Sequence, residues 1–266
     1  MIRVSVLSSG SKGNTTYIET DNAKILIDLG NTTKYVKEKL EDIGVEPNDL
    51  DAILITHTHV DHIKGLKVFC KKYCVPIYAS DIMLKELEYV DNYCFLKDSF
   101  DIKDIHVDVI KTSHDTPDSR GYIISNNDKS IVYITDTGYI NKKYFDILNN
   151  RDLYIMESNH DVEMLTNGKY PFKLRQRILS DKGHLSNYDS SKYVSSFIGD
   201  STKYVLLAHL SEDNNTEELA YETLVSRLND DNKHVDKIII ARQDEETELI
   251  TLWLKLFVLV KLKNNI

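Results

Sequence analysis

Short runs of apolar residues, separated by polar turns, recur along nearly the whole chain and predict strands interleaved with helices. Arg3 to Leu7, Thr15 to Glu19 and Lys24 to Asp28 have the composition of three short strands, with Asp21-Asn22 as a turn between the second and third. They predict a meander. Tyr35, Val36, Leu40 and Ile43 fall at helical spacing and stop before Gly44, a residue suited to closing a helix. Ala52 to Thr56 is apolar up to its last residue, the pattern of a strand covered on both faces. Further strands are expected at Pro76 to Ala79, Ile105 to Ile110, Ser130 to Thr135, Leu153 to Met156, Tyr204 to Ala208 and Lys237 to Ile240. Helical patterns occupy Lys142 to Leu148, Phe172 to Leu179, Asp189 to Ile198 and Thr216 to Leu228. With no internal repeat, low-complexity stretch or proline-rich linker, the pattern predicts one α/β domain over residues 1–266, two β-sheets packed together with helices outside.

Composition narrows the class. The chain has 266 residues, 41% hydrophobic and 28% charged, a balance that supports a sizeable core without disulfide or metal staples. Any metal is therefore expected to serve chemistry. A formal charge of −9 argues against a protein that coats nucleic acid through a global positive field, and leaves a local basic groove open. Cys70, Cys74 and Cys94 make neither a disulfide framework nor a metal-binding pair, and the apolar run before Ser8-Ser9-Gly10 is too short for a signal-peptide core, so a cytoplasmic setting is expected. Leu249 to Val260, broken by Thr251 and Lys255, falls short of the roughly 20 apolar residues of a membrane span and reads as a terminal core element. Leu252, Trp253, Leu254, Leu256, Phe257 and Leu259 need cover, which gives a motive for a homodimer.

The segment richest in chemistry is Thr56-His57-Thr58-His59-Val60-Asp61-His62, just past a buried strand. Three imidazoles and a carboxylate this close suit divalent cations, and crowding them without a metal strands donors and acceptors. One ion cannot easily use all four groups. The surplus, with further histidines later in the chain, points to a two-metal hydrolytic centre.

His-x-His-x-Asp-His after an apolar strand resembles the signature of the metallo-β-lactamase superfamily. Asp28 in Ile27-Asp28-Leu29-Gly30, His114 in Thr112-Ser113-His114, Asp136 in Thr135-Asp136-Thr137-Gly138 and His209 in Leu207-Ala208-His209-Leu210 are similar to the remaining motifs, in order. The resemblance implies a four-layer αββα sandwich in which His57, His59 and His114 bind one metal, Asp61, His62 and His209 bind the other, and Asp136 bridges them. It implies that Asp28 supports the histidine loop by hydrogen bonds, with a carboxylate at a helix start as the plain alternative. Aspartate as the bridging residue tilts the reading towards phosphate esters. Zinc fits the histidines, and manganese or iron fits the mixed donors.

Lys182-Gly183-His184-Leu185-Ser186 is similar to the Gly-His-Ser segment of nuclease members, whose histidine is associated with proton donation, although Leu185 departs from that pattern. Glu157 resembles the acidic residue that orients it. Through Ser8 to Asn14, Glu157 to Leu165 and Gly183 to Asn187 the chain resembles the YycJ/WalJ group of bacterial cytoplasmic proteins. That likeness implies a DNA exonuclease acting 5′ to 3′, with a link to DNA repair. Asp61, His184 and Glu157 are thus the expected catalytic residues, and Ser11, Lys12, Asn14, His160 and Lys182 the expected substrate contacts. A plain β-turn for the Ser8 to Asn14 loop, and a helix start for His160, remain open beside those roles. His106 is expected on the polar face of a strand. Two rivals remain: a small-molecule hydrolase acting on a cyclic phosphodiester, thioester or lactam, and a metal-stabilised regulatory module without turnover.

Overall fold

A computed structural model of the protein describes residues 1–253. In chain order the first strands are β1 (Ile2–Ser8), β2 (Thr15–Glu19), β3 (Lys24–Ile27), β4 (Ala52–Leu54), β5 (Ile77–Ala79) and β6 (Tyr93–Phe95). They are followed by β7 (Ser99–Ile102), β8 (Ile105–Lys111), β9 (Arg120–Asn126), β10 (Lys129–Ile134), β11 (Leu153–Glu157), β12 (Tyr204–Ala208), β13 (Lys237–Ile240) and β14 (Ile250–Leu252). Two seven-stranded sheets result, ordered β14-β1-β2-β3-β4-β5-β6 and β13-β12-β11-β10-β9-β8-β7. The β1-β2-β3 meander is antiparallel, and β3-β4-β5-β6 continues in parallel, as crossover connections require.

The layering follows from alternation along each strand. In β2, Ile18 joins the core between the sheets while Tyr17 faces outward; in β10, Ile131 and Tyr133 point between the sheets and Val132 and Ile134 outward. The outer face of the first sheet is covered by α1 (Thr33–Asp42), through Val36 and Leu40. The outer face of the second is covered by α8 (Asn187–Phe197) and α9 (Glu217–Asp230), through Val194, Phe197, Ala220, Leu224 and Leu228. Three cores, one central and two outer, define four layers, αββα. Thr32 caps α1 by accepting from the Tyr35 N–H, and Gly44 ends it with a φ of 76°.

Several expectations needed correction. β9 lies where no strand was expected and forms a hairpin with β10, closed by Asn127 at a φ of 53°. β6 and β7, and the short helices α2 (Val60–Ile63), α3 (Leu66–Lys72) and α4 (Asp81–Leu84), were likewise unread, whereas α6 (Val162–Asn167) begins just past the helix start considered at His160. The unread elements are too brief for periodicity to declare itself. The Lys142 to Leu148 pattern is a 3-10 turn running into α5 (Phe145–Leu148), and the Phe172 to Leu179 pattern is α7 (Phe172–Ile178). β14 pairs antiparallel with β1, so this part of the apolar tail is core; of the residues behind the dimer motive, Leu252 is buried and Trp253 exposed, while Leu254, Leu256, Phe257 and Leu259 lie outside the described residues. Among the described residues no helix is long and apolar enough to cross a membrane.

Candidate metal centre

The site lies where strands of both sheets end. Asp28 follows β3, Asp136 follows β10 by one residue and His209 follows β12, all with left-handed backbone at φ of 61°, 52° and 56°. Such a conformation costs an L-residue roughly 1–2 kcal/mol, and here it turns three side chains back over the sheet ends. Neither motif nor periodicity signals it.

The histidine loop is clamped on several sides. The Tyr122 hydroxyl on β9 donates to the Ile55 carbonyl at 2.5 Å, and the Arg120 N–H donates to the Thr56 carbonyl at 2.9 Å. The Asn14 N–H donates to the Asp61 carbonyl at 2.8 Å. Gly30 packs so closely that an added Cβ would lie 1.7 Å from the Asp61 carbonyl oxygen. Asp28 is fully buried and accepts from the Thr56 N–H at 2.8 Å, the Thr56 hydroxyl at 2.7 Å and His62 Nδ1 at 2.7 Å. A carboxylate so engaged supports the loop from behind, as expected of Asp28, and fixes His62 with Nε2 turned to the site.

The donors form compact groups. Ligand atoms of His57, His59 and His114 lie within 4.8 Å of one another, as do those of Asp61, His62 and His209, and of His57, His62 and Asp136. His59 Nδ1 and His114 Nε2 approach to 3.2 Å, near the roughly 3.3 Å separating two nitrogens about 2.0 Å from one tetrahedral ion. His114 Nδ1 is taken by the Gly183 carbonyl at 3.1 Å, which leaves Nε2 as the inward atom. His57 Nε2, His209 Nε2 and Asp136 Oδ2 are buried without a hydrogen-bond partner. These three atoms belong to residues of the ligand clusters above, and divalent cations would satisfy them.

Electrostatics agree. Burial, aided by the His62 charge, pushes His57 well below the usual histidine range, so it carries a free lone pair. Burial alone would lower His209 too, yet Asp136, Asp61 and Glu157 outweigh it and raise the ring to about 10; His62 is raised by Asp136, Asp28 and Asp61 in the same way. Asp136 and Asp61 are held low by those imidazoles against the opposing effect of burial.

Glu157, at the end of β11, is fully buried and saturated. One oxygen meets His184 Nδ1 at 2.7 Å and His209 Nδ1 at 2.9 Å; the other accepts from the Thr137 and Leu185 N–H groups. Burial raises its pKa, but the His184 charge and the two histidine hydrogen bonds hold it down at about 2. It also groups with Asp136, His184 and His209, but its oxygens have no acceptor capacity to spare. His184 stands 3.7 Å from Asp136 Oδ1.

The remaining expected residues are dispersed. A cavity of about 180 Å³ is lined by Ser11, His59, Asp61, His114, His184 and His209 among others, so Ser11 reaches the site. Lys12 is exposed and paired with Glu212 at 2.6 Å. Asn14 is buried, with its amide against Gly10, Asp61 and His62, which places it in the scaffold of the loop. His160 is buried with both ring nitrogens unpartnered and does not line the cavity; the following helix is capped by Asp161, one residue later. Lys182 is exposed on the turn before His184. His106 is exposed and meets Asp101 and Asp108, a polar strand face as expected. Two contributors went unread: Thr56, which links Asp28 to the loop, and Asp115, which lies 3.4 Å from His114 Nε2 and pairs with Arg177. Asp115 had only adjacency to His114 as a signal.

An αββα sandwich with histidine and aspartate donors gathered at its strand ends defines a metallo-hydrolase. The chain belongs to the metallo-beta-lactamase superfamily, whose family model matches residues 9–209. It is 41% identical over 239 residues to the exodeoxyribonuclease WalJ of Streptococcus pneumoniae, covering 85% of this chain and 88% of that one. It is 40% identical over 227 residues to the exodeoxyribonuclease YycJ of Bacillus anthracis, covering 82% and 86%. In fold it is similar to the metallo-beta-lactamase fold protein YhfI of Bacillus subtilis, with a TM-score of 0.72 at 16% identity over 93% of this chain and 100% of that one. Members of the superfamily bind divalent metals, and the donor clusters described above are of that kind.

Proposed function

We propose that this metal-dependent hydrolase is a DNA exonuclease that removes nucleotides from 5′ ends, working in the cytoplasm as a single domain over residues 1–266. The observation that carries the reading is the identity of 41% across most of the chain to an exodeoxyribonuclease, together with a full donor set. The three cysteines are free, in keeping with a reducing compartment.

His57, His59 and His114 would hold one ion and Asp61, His62 and His209 a second, with Asp136 between them; zinc or manganese suits the donors, and iron also matches. Bound there, two such ions supply Lewis acidity at the phosphate and a water acidic enough to attack it. Asp61, held ionised by the facing imidazoles, would help orient that water. Attack on phosphorus breaks the bond to the 3′ oxygen of the terminal nucleotide. His184 delivers a proton to that oxygen from Nε2, since Nδ1 is committed to Glu157. Glu157 holds the ring and balances its charge. Ser11, which lines the cavity, would meet a flanking phosphate, Lys182 would do so from the exposed turn before His184, and Lys12 only by leaving Glu212. His160 is the weakest of the expected contacts, because it is buried away from the cavity.

The test is cleavage of 5′-phosphorylated duplex DNA, labelled separately at each end, by chelator-stripped protein before and after manganese or zinc is restored. Metal-dependent loss from the 5′ end is expected. No cleavage by protein carrying two metals per chain would overturn the reading in favour of a small phosphodiester substrate.

A further inference from the structure

Two clefts lie near the metal centre, one sharing Leu210 and Ser211 with its cavity and the other lined by residues close in the chain to His114 and Asp136, and they differ in charge. One passes Ser9 and Ser211 and is lined by Glu212, Glu217, Asp244 and Glu245. Its cations are spoken for: Arg242 is held by Glu217 and Glu245, and Lys12 by Glu212. A polyanion is repelled there.

The other cleft, about 200 Å³, is lined by Ser113, which precedes His114 in the chain, and by Lys111, Lys143, Tyr139 and Tyr144. Past Tyr139 and Asn141, which both cavities share, it continues into one of about 660 Å³ lined by Lys142, Lys192 and Tyr193. An added Cβ on Gly138 would lie 2.4 Å from the backbone of Ser180 and Asp181, so the turn bearing Lys182 sits beside Tyr139. Among the described residues, Lys142, Lys143, Lys182 and Lys192 pair with no carboxylate, and Lys111 has only Asp118 at 4.0 Å, itself engaged by Arg120. The one acid lining the larger cavity, Asp189, is tied to the Ser186 hydroxyl at 2.7 Å. Lys143 lies over the Tyr144 ring at 4.7 Å, and Tyr139 is 40% exposed.

Unpaired lysines interleaved with tyrosine faces suit a polynucleotide with its bases unstacked: ammonium groups follow the phosphates and rings stack on bases. We infer that the strand being degraded leaves the metal centre single-stranded over Lys111, Tyr139, Lys142, Lys143 and Lys192, away from the acidic cleft. The inference rests on the nuclease reading for its substrate and adds the path and the unpaired state of the strand.

The test measures fluorescence anisotropy of a labelled oligothymidine, about 20 nucleotides long and blocked by phosphorothioate linkages, on the full metal-loaded chain. Lys142→Glu with Lys143→Glu is expected to weaken binding at least about tenfold and to flatten the slope of log affinity against log salt by about 1.4, two phosphate contacts at about 0.7 each. Tyr139→Ala is expected to weaken it about fivefold or more through lost stacking. A charge-matched control on α1, Lys34→Glu with Lys37→Glu, is expected to stay within about twofold, since it removes charge without touching a contact. Track variants that match the control in affinity and slope would overturn the path, even if the native protein degrades DNA. A native protein that binds the strand through these residues but cleaves no DNA would overturn the nuclease reading and leave the path standing.

Discussion

At the residue scale the site divides into groups that face the reaction and groups that hold them. His184 has one nitrogen bound to a saturated, buried carboxylate and the other free, the arrangement of a proton donor. His184→Ala is expected to lower kcat by about 10²–10⁴ with the thermal midpoint and metal content unchanged. Glu157→Gln is expected to lower kcat as well and to shift the limb of the pH–rate profile that reports the donor, a change that simple loss of packing does not produce. An unmoved profile would reduce Glu157 to a structural role. Asp28 acts through His62, so Asp28→Ala is expected to weaken metal binding about 10–100-fold, read by competition with a chromophoric chelator. The histidine cluster was legible because its spacing is dense. Asp115 and Thr56 were not, because a single polar residue beside a motif looks like any other polar residue.

At the scale of elements, the strands that carry the site were legible from long apolar runs. β2, β12 and β13 match their expected bounds, β3 and β11 differ by a residue at one end, and β10 is shifted by a residue at each end. β9 escaped notice because Arg120-Gly121 at its start and Ser125-Asn126 at its end dilute the apolar signal. Its role is tertiary: through Tyr122 and Arg120 it pins the strand feeding the histidine loop. The left-handed turns at Asp28, Asp136 and His209 were invisible for a similar reason, since the packing around them, and no local preference, selects that backbone. Gly30 is the tightest point of this scaffold. Gly30→Ala brings a Cβ against the Asp61 carbonyl and the Asn14 N–H, and either the loop or the turn must move. The expected outcome is loss of metal together with a lower thermal midpoint; retention of stoichiometric metal by a stably folded variant would show that the loop has more slack than its contacts suggest.

At the scale of the whole molecule, protons and metal ions compete for one cluster of buried charge. Asp28, Asp61, Asp136 and Glu157 bring four carboxyl groups into the region between the sheet ends, and without ions His62 and His209, with His184 beside Glu157, are the imidazoles that face them. His209 is raised from 6.5 to about 10, and His62 is raised well above 6.5. A metal-free folded chain therefore keeps protons that the unfolded chain gives up above 6.5. That contribution to stability is fully present below 6.5 and is lost as pH rises towards about 10. In loaded protein the ions replace those protons, so this alkaline loss disappears and metal uptake near neutral pH releases protons. Calorimetric titration of stripped protein in two buffers of different ionisation enthalpy is expected to show the release as a buffer-dependent heat. Thermal midpoints taken from neutral to alkaline pH are expected to fall for stripped protein and to stay level for loaded protein. Parallel falls in the two forms, with buffer-independent heats, would mean that the histidines are already neutral without metal and that the carboxyl groups find their counter-charge elsewhere.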